Sequence, residues 1–68
     1  MNMEPVVSSN VAAIGFENGT LTVEFKSGST YEYTGVSKET FQAFKEAPSA
    51  GRFFIANIKN QYPNTKIL

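Results

Sequence analysis

Three short segments with alternating apolar and polar residues occupy the first half of the chain. They cover Val11–Phe16, Leu21–Phe25 and Ser29–Tyr33. Alternation with a period of two is typical of strands that bury one face of a sheet. The pattern therefore predicts a three-stranded antiparallel meander. Residues 1–9 are expected to be an irregular N-terminal segment, because Pro5 opposes early regular structure.

The dipeptide Asn18-Gly19 predicts the first turn of this meander. A two-residue type I′ turn needs positive φ at both positions, which Asn and Gly tolerate best. The apolar side chains of the two flanking strands then share one face, which we expect to be buried. The predicted pairs are Phe16 with Leu21, Ile14 with Val23, and Ala12 with Phe25.

A second turn is predicted at a three-residue loop that ends at Gly28. With Gly28 in the left-handed region, this loop forms a bulge of the type that often closes hairpins. It pairs Val23 with Tyr31. It also pairs Leu21 with Tyr33, so both tyrosines point to the core face. A two-residue loop would reverse them, and the alternation favours the longer loop.

Two helices are predicted in the second half of the chain. Ser37 is a suitable N-cap for a helix over Lys38–Ala47, and Ser49 can cap another over Ala50–Tyr62. Residues 63–68 follow Tyr62 as a short tail. The apolar stripe of the second helix at the helical period consists of Gly51, Phe54, Ile55, Ile58 and Tyr62.

These elements predict an α+β fold in the order β-β-β-α-α. Two C-terminal helices would cover one face of the three-stranded antiparallel β-meander. A chain of 68 residues is expected to form one domain over residues 1–68.

Several short motifs occur in this order along the chain: Ser8-Ser9 before the first strand, Tyr31-x-Tyr33 in the third, and the run from Ala47 to Phe54. From about Ser8 to Tyr62, the ordered set resembles the KTSC domain. That short domain occurs at the C-terminus of some lysyl-tRNA synthetases and as stand-alone small proteins. The resemblance implies a family of unknown function for which RNA binding is suggested. Ile55 stands where family members often have a polar residue, so the resemblance implies no polar site there.

The composition excludes several classes of site and protein. The chain has no cysteine and no histidine, which excludes disulfides and thiolate metal sites and removes the usual general base. Glu24 and Glu32 could be neighbours across two strands, but they would lie on an open polar face. We therefore expect no catalytic residue, no metal and no cofactor. No segment is apolar enough to span a membrane and no signal peptide is evident, so a cytoplasmic protein is expected.

The charge of the chain is balanced but uneven. Six acidic and six basic side chains give a net charge of zero, which does not by itself indicate nucleic-acid binding. Residues 49–68 nevertheless contain Arg52, Lys59 and Lys66 and no acidic residue. This asymmetry either reflects chance in a short chain or indicates a small basic face.

The start of the second helix is a candidate anion site. Unpaired N–H groups, the Ser49 hydroxyl and Arg52 could bind a phosphate there. In the alternative, Ser49 only caps the helix and Gly51 allows a close approach to the sheet. Arg52 and Lys59 are seven residues apart and would share one face of a regular helix. The full candidate set for nucleic-acid or anion binding is Ser49, Gly51, Arg52, Asn57, Lys59, Tyr62 and Lys66.

Three aromatic residues have two interpretations each. Tyr31 and Tyr33 are either core residues or a platform on which bases could stack. Phe53 lies off the apolar stripe of the second helix. It either tucks under the N-terminal segment or forms an exposed anchor for a partner or a second subunit.

The function that these observations favour is a non-enzymatic module that binds RNA or another single-stranded nucleic acid. The family resemblance contributes part of the weight. The alternative is a protein-interaction or homo-oligomeric module that uses Phe53 and the edges of the meander. Such an oligomer could also enclose a small phosphorylated ligand such as a nucleotide.

Overall fold

A five-stranded antiparallel sheet and two helices form the fold in the computed structural model, which describes residues 2–68. Neighbouring strands in the sheet are also consecutive in the chain. The α+β class is as predicted, but the sheet has five strands rather than three. The elements are β1 (Glu4–Pro5), β2 (Val11–Glu17), β3 (Thr20–Phe25), β4 (Thr30–Thr34), α1 (Lys38–Glu46), α2 (Ala50–Phe53), a π-helical turn (Phe54–Ile58) and β5 (Asn64–Lys66).

Both predicted turns are present. Asn18 and Gly19 have φ angles of 52° and 79°, as a type I′ turn requires. In the second loop Gly28 has a φ of 102°, and its N–H donates to the carbonyl of Phe25 at 2.9 Å. This loop sets the predicted register of β3 and β4. Tyr33 is consequently buried on the core face.

A bulge at the start of β2 changes one predicted pair. The register shifts between Val11 and Ala13, and Val11 rather than Ala12 lies opposite Phe25. The extra residue places the Val11 side chain on the buried face, where it is fully inaccessible to solvent. The predicted pairing of Ala12 with Phe25 is therefore wrong. The bulge buries the larger of the two apolar side chains, which is the more favourable arrangement.

Two short outer strands replace the predicted irregular ends of the chain. β1 pairs with β2 and contains Pro5, which is tolerated in an edge strand because it has no N–H to donate. β5 pairs with β4, and beyond it the Ile67 N–H donates to the carbonyl of Thr30 at 2.7 Å. Both edges of the predicted meander thus carry a further strand. They are not the free edges that the protein-interaction alternative assumed.

The core lies between the sheet and the helices. Ser37 caps α1 as predicted, since its Oγ accepts the Thr40 N–H at 3.1 Å. The apolar stripe of α1 then packs onto the sheet through Phe41 and Phe44. The buried cluster comprises Val11, Ile14, Leu21, Val23, Tyr33, Val36, Phe41, Phe44, Ala50, Phe54 and Ile58.

The second helix is shorter and less regular than predicted. After α2 the chain widens into the π-helical turn, where the Lys59 N–H donates to the carbonyl of Phe54, five residues earlier, at 2.8 Å. Phe54 and Ile58 stay buried, but Ile55 is 62% exposed. The extra residue in the turn removes Ile55 from the predicted buried stripe. Neither helix in the part of the chain described is long and apolar enough to cross a membrane.

Candidate functional site

A cleft of about 390 Å³ opens between β4, the π-helical turn and β5. It combines aromatic walls, three asparagine side chains and one lysine, with no carboxylate among its lining residues. This is the usual composition of a small-ligand site, in which apolar walls hold a few well-placed polar groups. The lining residues are Asn10, Phe25, Tyr31, Tyr33, Phe54, Ile55, Lys59, Asn60 and Asn64.

The pairing of β4 with β5 brings polar and basic side chains to the tyrosines. Asn64 lies opposite Tyr33, and Lys66 lies opposite Tyr31. Directly opposed residues of antiparallel strands place their side chains on the same face of the sheet. Lys66 therefore stands beside the cleft on the face that carries Tyr31.

The aromatic rings form a continuous layer from the core to the cleft. Tyr31 meets Phe25 edge-on with ring centroids 5.9 Å apart, and it lies 6.5 Å from Tyr33. Phe54 contacts Phe25 and Tyr33 edge-on at 5.3 Å and 5.8 Å. Tyr33 is only 4% exposed, whereas Tyr31 is half-buried. The structure thus makes Tyr33 a core residue and leaves Tyr31 partly exposed at the cleft.

The buried environment of Tyr33 changes the titration of its hydroxyl. Burial, and to a smaller extent the neighbouring Tyr31, raises the pKa of this hydroxyl above its ordinary value. The shift does not change the charge at neutral pH, where an ordinary tyrosine is already neutral; it bears on stability only above about pH 10.

The π-helical turn separates Lys59 from Arg52. Lys59 lines the aromatic cleft, whereas Arg52 lines a different, shallow depression beside Ser49 and Phe53. The prediction that Arg52 and Lys59 share one helix face assumed regular helical geometry. It is wrong because the wider turn, which ends before Lys59, changes the direction in which Lys59 leaves the helix.

The start of α2 is only partly available to an anion. Ser49 caps the helix, and its Oγ accepts the Arg52 N–H at 3.4 Å. The Ala50 N–H donates to the carbonyl of Val7 at 3.2 Å. Two of the N–H groups on which the predicted anion site depended are therefore bonded within the chain. Arg52 itself is exposed, and no carboxylate within residues 2–68 lies within salt-bridge distance of it.

Gly51 is explained by a close approach of two chain segments. A Cβ at this position would lie 2.8 Å from Asn10 Oδ1 and 3.0 Å from Ser8 Oγ. Ser8 in turn accepts the Val11 N–H at 3.1 Å, at the start of β2. A close approach was predicted at Gly51, but the neighbour is the loop before β2 and not the sheet.

Three other predicted residues mainly support the fold. Phe53 is half-buried and stacks on Phe44 with centroids 5.3 Å apart, so only part of its ring could meet a partner. Asn57 Nδ2 donates to the carbonyl of Phe53 at 3.3 Å. Tyr62 is half-buried and packs against the core. None of the three lines the cleft.

Several residues that line the cleft were not predicted from the sequence to belong to a binding site. Phe25 and Phe54 were assigned to the core, and they contribute to both the core and the cleft. Asn10, Asn60 and Asn64 lie in loops or in the polar strand β5, where the hydrophobic pattern carries no information. The positive φ of 65° at Asn60 is typical of asparagine, but the sequence alone does not show that this residue faces a cleft.

Comparison with known proteins agrees with the resemblance that the motifs indicated. The profile of the KTSC domain matches residues 7–62. An uncharacterized protein of Stutzerimonas stutzeri is 42% identical over 57 residues, which cover 81% of this chain and 80% of that protein. The crystal structure of a KTSC domain protein from Yersinia pestis has a TM-score of 0.91 and 38% identity, over 98% of this chain and 97% of that one.

Proposed function

This chain belongs to the KTSC domain family, and we propose that it is a non-enzymatic module that binds single-stranded nucleic acid, in particular RNA, in its aromatic cleft. The observation that carries the proposal is the half-buried Tyr31 in a cleft that is lined by Lys59 and by no carboxylate within residues 2–68, with Lys66 opposite Tyr31 on the neighbouring strand. Unpaired bases stack on accessible aromatic side chains, and their phosphates are attracted to lysine or arginine nearby.

The cations of this site are Lys59, which lines the cleft, and Lys66, which lies beside it. Both side chains are exposed. The salt bridge found within residues 2–68 joins Glu4 to Lys45, so neither cation of the cleft is paired with a carboxylate there. Ser49, Gly51 and Arg52 lie outside the proposed site. The proposed ligand is the one that the sequence favoured, but the proposed binding site is the cleft rather than the second helix.

The affinity should be modest and sensitive to salt. Each phosphate contact with a single strand contributes about −0.7 to the slope of log K against log salt. Two contacts give a slope of about −1.4, which corresponds to roughly 7-fold weaker binding at 200 mM salt than at 50 mM. Because the net charge of the protein is zero, its overall charge does not attract RNA beyond these two lysine–phosphate contacts.

A matched pair of variants tests the proposal. Fluorescence anisotropy with a labelled eight-nucleotide single-stranded RNA would be measured for wild type, Lys59→Ala and Arg52→Ala. The Lys59→Ala variant loses one phosphate contact. It should therefore bind the RNA more weakly, and the slope of log K against log salt should fall to about −0.7. Arg52→Ala removes an equally exposed cation elsewhere and should match wild type. Equal losses in both variants, or no RNA binding at low salt, would contradict the proposal.

A further inference from the structure

We infer that the cleft holds one unpaired nucleotide together with the two phosphates that flank it, and that it reads the base with little selectivity. The inference rests on the proposed function, because it specifies the ligand of the same site. It follows from the size of the cleft, the chemistry of its amide groups and the placement of the two lysines.

The size of the cleft suits one nucleotide. Its volume of about 390 Å³ is near the lower end of the range for small-ligand sites, which is roughly 300–1,000 Å³. The accessible aromatic surface comes from Tyr31 and Phe25, which are half-buried, because Tyr33 and Phe54 are buried. The Tyr31 and Phe25 rings meet edge-on, so they do not offer two parallel faces to two bases. A base can reach that ring only when it is outside a double helix, since paired bases are stacked on their neighbours.

The asparagine side chains can complement the edge of any base. Asn10 Oδ1 accepts the Ser8 hydroxyl at 2.9 Å, which leaves the Asn10 amide N–H groups for a ligand. Asn64 Nδ2 donates to the carbonyl of Tyr62 at 3.4 Å, which leaves the Asn64 carbonyl as an acceptor. Asn60 adds a group of each kind. Asn60 can turn either its oxygen or its NH₂ group toward a base, so the set does not require one particular base edge.

The two lysines approach the cleft from different elements. Lys59 follows the π-helical turn on one wall, and Lys66 lies on β5 opposite Tyr31. One nucleotide within a chain carries a phosphate on each side of its ribose. One cation in the cleft and a second beside it match this pair of charges better than a single terminal phosphate. The minimal ligand is therefore a nucleoside 3′,5′-bisphosphate.

Competition against the labelled eight-nucleotide RNA tests this inference. Adenosine and uridine 3′,5′-bisphosphates should both displace the RNA, and their affinities should differ by less than about fivefold, because a specific bidentate base contact would give more. Ribose 5-phosphate should bind more weakly than adenosine 5′-monophosphate by roughly 5- to 150-fold, since the two differ only by the stacked base. Lys66→Ala should weaken the bisphosphates more than adenosine 5′-monophosphate.

The outcomes separate the two proposals. If the RNA binds but neither bisphosphate displaces it at millimolar concentration, the ligand is longer than one nucleotide and the inference fails while the proposed function stands. A large preference for one base would overturn the weak selectivity. Equal binding of ribose 5-phosphate and the bisphosphates would show that only phosphate is bound, which also overturns the inference. If no RNA binds, both proposals fail.

Discussion

Replacing Gly51 by alanine should destabilise the fold, although alanine is the better helix former. In the interior of a helix the change would stabilise by up to about 1 kcal/mol. Here the new Cβ would lie 2.8 Å from Asn10 Oδ1, closer than real Cβ contacts, and at a tight 3.0 Å from Ser8 Oγ. The Asn10 and Ser8 side chains, in the loop before β2, must therefore turn away from α2, which breaks the hydrogen bonds that they make.

The magnitude follows from the hydrogen bonds of that loop. Ser8 Oγ donates to Asn10 Oδ1 at 2.9 Å and accepts the Val11 N–H at 3.1 Å. Loss of both bonds would cost about 1–3 kcal/mol at roughly 0.5–1.5 kcal/mol each. After the gain in helix propensity is subtracted, a net loss of about 1 kcal/mol is expected. For a domain of this size that lowers the melting temperature by about 4–8 °C.

Thermal and urea denaturation followed by circular dichroism would measure this change. Asn10→Ala removes the closer of the two oxygen atoms, so the double variant Gly51→Ala with Asn10→Ala should lose less stability than the sum of the single variants. An increase in stability for Gly51→Ala alone would refute the close approach. Strict additivity of the two changes would refute the role assigned to Asn10.

Three further predictions concern the core, the buried hydroxyl and the N-terminal strand. Phe44→Ala should lower the free energy of unfolding by about 3–5 kcal/mol, because this ring is fully buried, and that is a large part of the roughly 3–10 kcal/mol expected for a 68-residue domain. Urea denaturation followed by circular dichroism would measure the loss, and a cost below about 1 kcal/mol would contradict the burial of this ring. Because burial raises the pKa of Tyr33, the unfolded chain releases this proton at lower pH than the folded one, so stability should fall as pH rises above about 10. Urea midpoints should decline less steeply in Tyr33→Phe, and identical slopes would count against the shift. Glu4→Gln removes a half-exposed ion pair with Lys45 at 3.2 Å and should cost less than about 1 kcal/mol in urea denaturation; a larger loss would mean that β1 depends on this pair.

The parts of the fold that depend on local chemistry could be predicted from the sequence. Asn18-Gly19 and Gly28 set their turns through the positive φ that each position needs, and these turns set the register of the three central strands. The cap at Ser37 could also be predicted from the sequence, because it depends on hydrogen bonds within four residues. In such segments sequence pattern and tertiary structure agree.

The parts that depend on tertiary pairing could not be predicted. β5 is a polar tripeptide without alternation, and its backbone pairing with β4 is what makes it a strand. The π-helical turn lies within the segment that was predicted to be helical, but it changes the direction in which Lys59 leaves the helix. Both features bring their side chains to the cleft. The sequence therefore indicated the chemistry of the site, namely tyrosines and lysines, but placed Lys59 beside Arg52 rather than beside Tyr31.

The most direct test of the account is a titration of isotope-labelled protein with the eight-nucleotide single-stranded RNA, followed by ¹H–¹⁵N correlation spectra at low salt. The side-chain amide signals of asparagine report on the cleft wall itself. The account predicts saturable shifts at the side chains of Asn60 and Asn64 and at the backbone of Lys59. Little change is expected at Arg52. Shifts confined to the start of α2, or no shifts with this RNA, would contradict the assignment of the cleft as the binding site.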